Sequence, residues 1–147
     1  MHNFWLGIYN NHPLWIATLA VALAQVLKVA WVLIRERRLI LRLLTDAGGM
    51  PSSHSSMVSA LAFSVGKHAG WDTPVFAVAC IFAAVVMYDA AGIRRAAGEQ
   101  AEVLNRLIDD LYKGKLGSFK RMKEILGHTP KEVVAGGILG TLIGLIF

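Results

Sequence analysis

Residues 13–34 read PLWIATLAVALAQVLKVAWVLI, with Gln25 and Lys28 their only strongly polar members. An amphipathic helix of a soluble domain would carry a polar stripe along such a run. None is present, so the segment is expected to be a helix with apolar surroundings on every side. Three more blocks share that character. Residues 51–69 open with His54, Ser55 and Ser56 and close with Lys67 and His68, with two serines interrupting an apolar middle. Residues 74–93 contain one charge, Asp89. Residues 130–147 would span roughly 27 Å at about 1.5 Å per residue, just enough for a hydrocarbon core of about 30 Å. The pattern predicts an all-α fold, a polytopic membrane helix bundle of about four transmembrane helices.

A chain of 147 residues has room for one core, so 1–147 is expected to form a single integral membrane domain. With 55% hydrophobic and 17% charged residues, disordered and collagen-like architectures are excluded. The lone cysteine, Cys80, removes any intramolecular disulfide framework or Cys-based zinc site. Net charge is +5, and 13 of the 15 Lys and Arg residues fall between Arg35 and Lys131, outside the apolar blocks apart from their ends. By the positive-inside rule the basic loops 35–49 and 94–129 face the cytoplasm, which puts the N-terminus, the turn at Trp71 and Phe147 on the other side. The positive charges follow the first apolar block instead of preceding it, which argues for a retained helix over a cleaved signal peptide.

Within the second basic loop, Ala101, Leu104, Leu107, Ile108 and Leu111 recur at helical spacing opposite Glu102, Arg106, Asp109 and Asp110. That is the pattern of an amphipathic helix lying on the cytoplasmic membrane face. The basic stretch 113–123 suits anionic headgroups or plain topology charge. No aromatic interleaving accompanies it, so nucleic acid is not an expected partner. In the last block Gly136, Gly140 and Gly144 repeat every four residues and offer a smooth face for close packing, either within the chain or in a homodimer.

This topology brings scattered polar residues to one end. Lys28 and Arg35 end the first span, His54 begins the second, Asp89, Arg94 and Arg95 end the third, and His128 precedes the fourth. Two histidines, an acid and several cations at one membrane surface are the composition that phosphoryl transfer needs. The segment Gly48-Gly49-Met50-Pro51-Ser52-Ser53-His54-Ser55 adds glycines that permit a sharp approach of the backbone, and a helix start whose free amides favour an anion. The same segment also reads as a Ser-capped turn with an interfacial histidine.

Pro51-Ser52-Ser53-His54 resembles the Pro-Ser-Gly-His motif of the type 2 phosphatidic acid phosphatase and vanadium haloperoxidase superfamily. The strings GGMPSSHSSMVSAL, VMYDAAGIRRAAGEQAEVLN and LGHTPKEVVAGGILG, together more than a third of the chain, look like its divergent bacterial membrane branch. Lys28 and Arg35 have the spacing of the first motif, with Glu36 where that motif has Pro. His54 matches the second motif, with Ser53 in place of Gly. His128 through Glu132 resembles the third, with Glu132 in place of Asp. The third motif's arginine should lie shortly before its histidine. Arg121 and Lys123 miss that spacing, and Arg94 or Arg95 is the favoured equivalent, which makes the amphipathic segment an insertion.

The resemblance implies a bacterial inner-membrane hydrolase acting on a phosphomonoester or diphosphate of a lipid, such as phosphatidic acid, phosphatidylglycerophosphate or a polyprenyl phosphate. It implies that His128 attacks phosphorus, that His54 protonates the leaving alcohol, and that Glu132 holds the other imidazole nitrogen of His128. Lys28, Arg35 and Arg94 or Arg95 would neutralise the phosphoryl oxygens with the amides of Ser52, Ser53 and His54, and no metal is needed. Asp89 would orient a cation, because an acid on an apolar helix is costly unless paired. In the residues themselves alternatives stay open. Thr129-Pro130-Lys131-Glu132 reads equally as a capping box. Asp89, Glu99 and Glu102 could share a divalent ion. A lipid-phosphate binding or transport protein could keep the cationic cradle without turnover.

Overall fold

Asn11, Ser52, Thr73 and Thr129 each present a side-chain oxygen to the amide three residues on, and each starts a helix. The computed structural model describes residues 3–37, 49–111 and 127–147, the side chains at 94, 95, 110 and 111 excepted. It contains α1 (Phe4–Tyr9), α2 (His12–Glu36), α3 (Ser53–Ala69), α4 (Pro74–Ala91), α5 (Ile93–Leu111) and α6 (Pro130–Ile146). Proline falls in the first turn of α2, α4 and α6, where its missing N–H forfeits no helical bond. The second span departs from expectation. Pro51 lies ahead of the cap residue Ser52 instead of inside the first turn, so α3 begins at Ser53. Gly70, at φ +104°, lets the chain leave α3 for the short turn into α4.

α3 is the centre of the bundle, packed against α2, α4 and α6. Its polarity has a reason in that position. Ser52, Ser53, Ser55, Ser56, Ser59 and Ser64 are all buried, and Ser56 Oγ donates to the Ala20 carbonyl of α2 at 3.3 Å. Small side chains let three neighbours come close, and their hydroxyls find partners across helices. Ile16 and Ala20 of α2, Ala60 of α3 and Ile143 of α6 form one apolar cluster. Val58 and Ala62 of α3 with Ala83 of α4 form another.

The glycine stripe of α6 is spent inside the chain. A Cβ at Gly136 would strike the Ser52 carbonyl, one at Gly140 the backbone of Ser56, and one at Gly144 would lie 2.7 Å from the Ala60 carbonyl. Of the two readings of Gly136, Gly140 and Gly144, packing within the chain or a homodimer, the structure uses the first, because the atoms opposite them are backbone of α3 in the same molecule.

α2, and the run that begins at Pro74, are long and apolar enough to cross a membrane. α3 and α6 have 17 residues each, about 26 Å at the helical rise. Large apolar side chains face outward along α2 (Leu23, Val26, Leu27, Trp31), α4 (Val78, Ile81, Val85) and α6 (Ile138, Leu142). Exposed patches of that extent mark a surface made for an apolar neighbour. α5 buries Ala101 and Asn105 and leaves Val103, Leu104 and Leu107 exposed. Of the apolar face read from the sequence, Leu104 and Leu107 are thus exposed, Ile108 is half-buried and Ala101 is buried. The basic stretch 113–123 lies outside the described residues.

The two ends of the bundle differ. At one, Lys67 Nζ donates to the carbonyls of Leu145 and Ile146 at 3.2 Å each, closing the C-terminus of α6, and the rings of His12 and His68 stack 5.5 Å apart. At the other meet the start of α3, the end of α4 and the start of α6.

Candidate active site

The second end is closed by two backbone hydrogen bonds between distant parts of the chain. The His128 amide donates to the Ala90 carbonyl at the end of α4, and the Ser52 amide donates to the Glu132 carbonyl in the first turn of α6, both at 3.1 Å. Gly136 makes the second possible, since any side chain there would push against Ser52. These contacts fix where two imidazoles sit. The rings of His54, on the first turn of α3, and His128, just before α6, have centroids 6.1 Å apart and planes at 62°.

Glu132 does two things with one oxygen. Its Oε2 accepts from the Thr129 amide at 3.1 Å, while the Thr129 hydroxyl accepts from the Glu132 amide, completing a capping box. The same Oε2 lies 3.1 Å from His128 Nδ1. Both roles read from the sequence coexist. A carboxylate at Nδ1 fixes the proton there in the neutral ring, leaving the lone pair on Nε2. His128 is 3% exposed, and its Nε2 is buried with no hydrogen-bond partner among the described residues. That nitrogen of His128 is placed to accept a hydrogen bond or to attack.

Lys28, 1% exposed, reaches this end from α2. Gly49, at φ +94°, shows how closely the preceding loop passes it, since a Cβ there would lie 3.2 Å from Lys28 Cδ. A buried ammonium on an apolar helix is costly to hold and marks a place where negative charge is expected. Arg35 follows two turns later on the same face, about 10 Å further along the axis, and is exposed. Ser53 is buried in the first turn of α3. Asp89 is half-buried beside Ala90.

Three expectations need correction or limits. Ser52 does not offer its amide to a ligand. That N–H is bound to Glu132, and the hydroxyl accepts from the amide and hydroxyl of Ser55, so Ser52 locks α3 to α6. Asp89, Glu99 and Glu102 do not form a metal cluster, for no group of three His, Cys, Asp or Glu side chains among the described residues could hold an ion. Glu102 pairs instead with Arg106 one turn along α5. The side chains of Arg94 and Arg95 lie outside the described residues. Their backbone starts α5 within about a turn of Ala90, so the bond from His128 to Ala90 brings this part of the chain back to the third motif. The anchoring carbonyl of Ala90 left no trace in the sequence.

The sequence model of the divergent PAP2 family matches residues 9–143. A Bacillus subtilis (strain 168) protein described as uncharacterized membrane protein YuiD is 43% identical over 152 residues, covering 96% of this chain and 96% of that protein. No solved structure matches.

Proposed function

The chain belongs to the divergent PAP2 family, and from that premise we propose that it hydrolyses a phosphomonoester or diphosphate of a lipid through a phosphohistidine on His128. In this reading α2, α3, α4 and α6 all span the bilayer, and the His54–His128 end faces the cytoplasm with the basic loops. The observation that carries it is the arrangement of the two rings: 6.1 Å between centroids, one Nδ1 held by Glu132, and the opposite nitrogen buried without a partner among the described residues.

His128 Nε2 attacks phosphorus, the bond from phosphorus to the leaving alcohol oxygen breaks, and His54 supplies that oxygen with a proton. Glu132 stabilises the imidazolium character that develops on His128. Water then attacks the phosphohistidine with His54 as base, releasing phosphate and restoring both rings. Lys28, Arg35 and Arg94 or Arg95 face the charge on the non-bridging oxygens, together with the N-terminus of α3 at Ser53. Asp89 orients this cationic group. The outward apolar faces of α2, α4 and α6 favour a substrate that lives in the bilayer.

Phosphate release from phosphatidic acid, phosphatidylglycerophosphate and polyprenyl phosphates by detergent-purified protein tests the reading. His128→Ala is expected to abolish release and His54→Ala to reduce it about 10²- to 10⁴-fold, the range for a lost general acid. An acid-labile phosphoprotein should form in wild type and be missing from His128→Ala. Unimpaired release by both variants defeats the mechanism, and binding without release identifies a lipid-phosphate carrier.

A further inference from the structure

A groove of about 780 Å³ runs along the bundle between α3, α4 and α6, with Phe63, Ala83, Met87, Gly137 and Thr141 among its walls. Its volume is within the range of ligand sites, roughly 300–1,000 Å³. The walls are almost wholly apolar, and the hydroxyl of Ser59 is turned to Met87 Sδ at 3.8 Å. One end approaches the candidate active site: Tyr88 and Val133 line it, and each is the chain neighbour of a site residue, Asp89 and Glu132. From Val133 to Leu142 the groove follows about 14 Å of α6, roughly half of a hydrocarbon core of about 30 Å. A space of about that length, open sideways between the exposed faces of α4 and α6 and pointing toward the candidate active site, matches one chain of an amphiphile and not a membrane-crossing helix.

Gly137 distinguishes this groove from mere packing. The stripe glycines are buried against α3 backbone, whereas a Cβ at Gly137 would meet Met87 Sδ at 3.5 Å and Ser59 Oγ at 3.7 Å, ordinary contact distances. Helix packing therefore does not demand glycine at 137. What its lack of a side chain leaves is room in the groove.

We propose that the groove holds one hydrocarbon chain of a phosphorylated lipid whose head group lies at the His54–His128 pair, and that Gly137 sets how bulky a chain can enter. The assignment rests on the lipid-phosphate reading of the site and adds where the chain lies and which residue selects it.

The test is photolabelling of the full-length protein in detergent with a phosphatidic acid carrying a diazirine near the end of one acyl chain, with labelled residues mapped by mass spectrometry. Labelling is expected on Phe63, Ala83 and Thr141, competed by unlabelled phosphatidic acid and at least 5-fold weaker with the matching diazirine diacylglycerol. Gly137→Phe should lower groove labelling at least 10-fold, and Val26→Phe on the outward face of α2 should leave it unchanged. If Gly137→Phe does not fold, Ile138→Trp at the lip should give the same loss, and the wild-type map decides by itself. Labels spread evenly over the outward faces, equal labelling by diacylglycerol, or cross-links to a second copy in the groove would each overturn the assignment. Phosphate release, measured on the same preparations, separates the two ideas. Groove labelling without turnover sinks the catalytic reading alone, and turnover with labels elsewhere sinks the groove alone.

Discussion

Replacing Gly140 by Ala adds one carbon to α6, and the structure says where it goes. The new Cβ would lie 2.8 Å from the carbonyl carbon of Ser56, 2.9 Å from its Cα and closer still to its oxygen, whereas ordinary contact begins near 3.4 Å. These are backbone atoms of the central helix and cannot rotate away, so α6 must retreat by about 1 Å. A gap of that size forfeits about half of the dispersion energy across the contact. It would also stretch the 3.1 Å bond from Ser52 to Glu132 past useful length. Overpacking of a fitted interface costs about 1–3 kcal/mol, and this site belongs at the upper end because three backbone approaches loosen together. Gly137→Ala is the internal control. Its Cβ finds room, and Ala in a helix is favoured over Gly by about 0.5–1 kcal/mol. The expected order of thermal stability in detergent is therefore Gly137→Ala at or above wild type, with Gly140→Ala well below both. Phosphatase activity should fall in Gly140→Ala as His128 moves away from His54. Equal melting temperatures for the two variants would show that α6 does not rest on the backbone of α3, and the account of the site would fail with it.

Glu132→Gln keeps a group able to cap the helix but removes the charge beside His128. Turnover should fall about 10²-fold or more while melting changes little, and Glu132→Ala should lose both activity and stability. Lys67→Met removes the cation from the last carbonyls of α6 and should lower stability by about 0.3–1 kcal/mol, measured by denaturant or heat, with kcat preserved. Ser56→Ala deletes the bond to the Ala20 carbonyl and should cost about 0.6–1.5 kcal/mol, the worth of an interhelical hydrogen bond. A reporter fused after Phe147 should lie outside the cytoplasm. Finding it inside would remove one of the four proposed spans.

The strongly apolar helices were legible from the sequence because the few polar residues of α2, α4 and α6, such as Lys28 and Asp89, do not build a polar stripe. α3 was the least legible. Its serines read as weakness in a membrane span, yet they are what lets the most buried helix touch three neighbours. The short helix α1 carried no periodic signal long enough to read. Around the site, the charge topology put His54 and His128 at one end, residue spacing showed Glu132 as a cap, and its contact with the ring was expected only from the family resemblance. The sequence misled on Ser52, whose amide was expected to face a ligand and instead meets a carbonyl brought in from eighty residues away. Main-chain partnerships of that kind leave no residue-type signature. The glycine stripe was recognised, but which surface it faced depended on a three-dimensional neighbour that one-dimensional spacing does not name.

The bond between His128 and Ala90 ties positions thirty-eight residues apart at one point of the bundle. α5 packs against α4 beside that tie, and the hinge post on which His128 hangs is made of main chain alone. Substitution of the side chains around it would leave that post standing, because the bond joins an amide to a carbonyl.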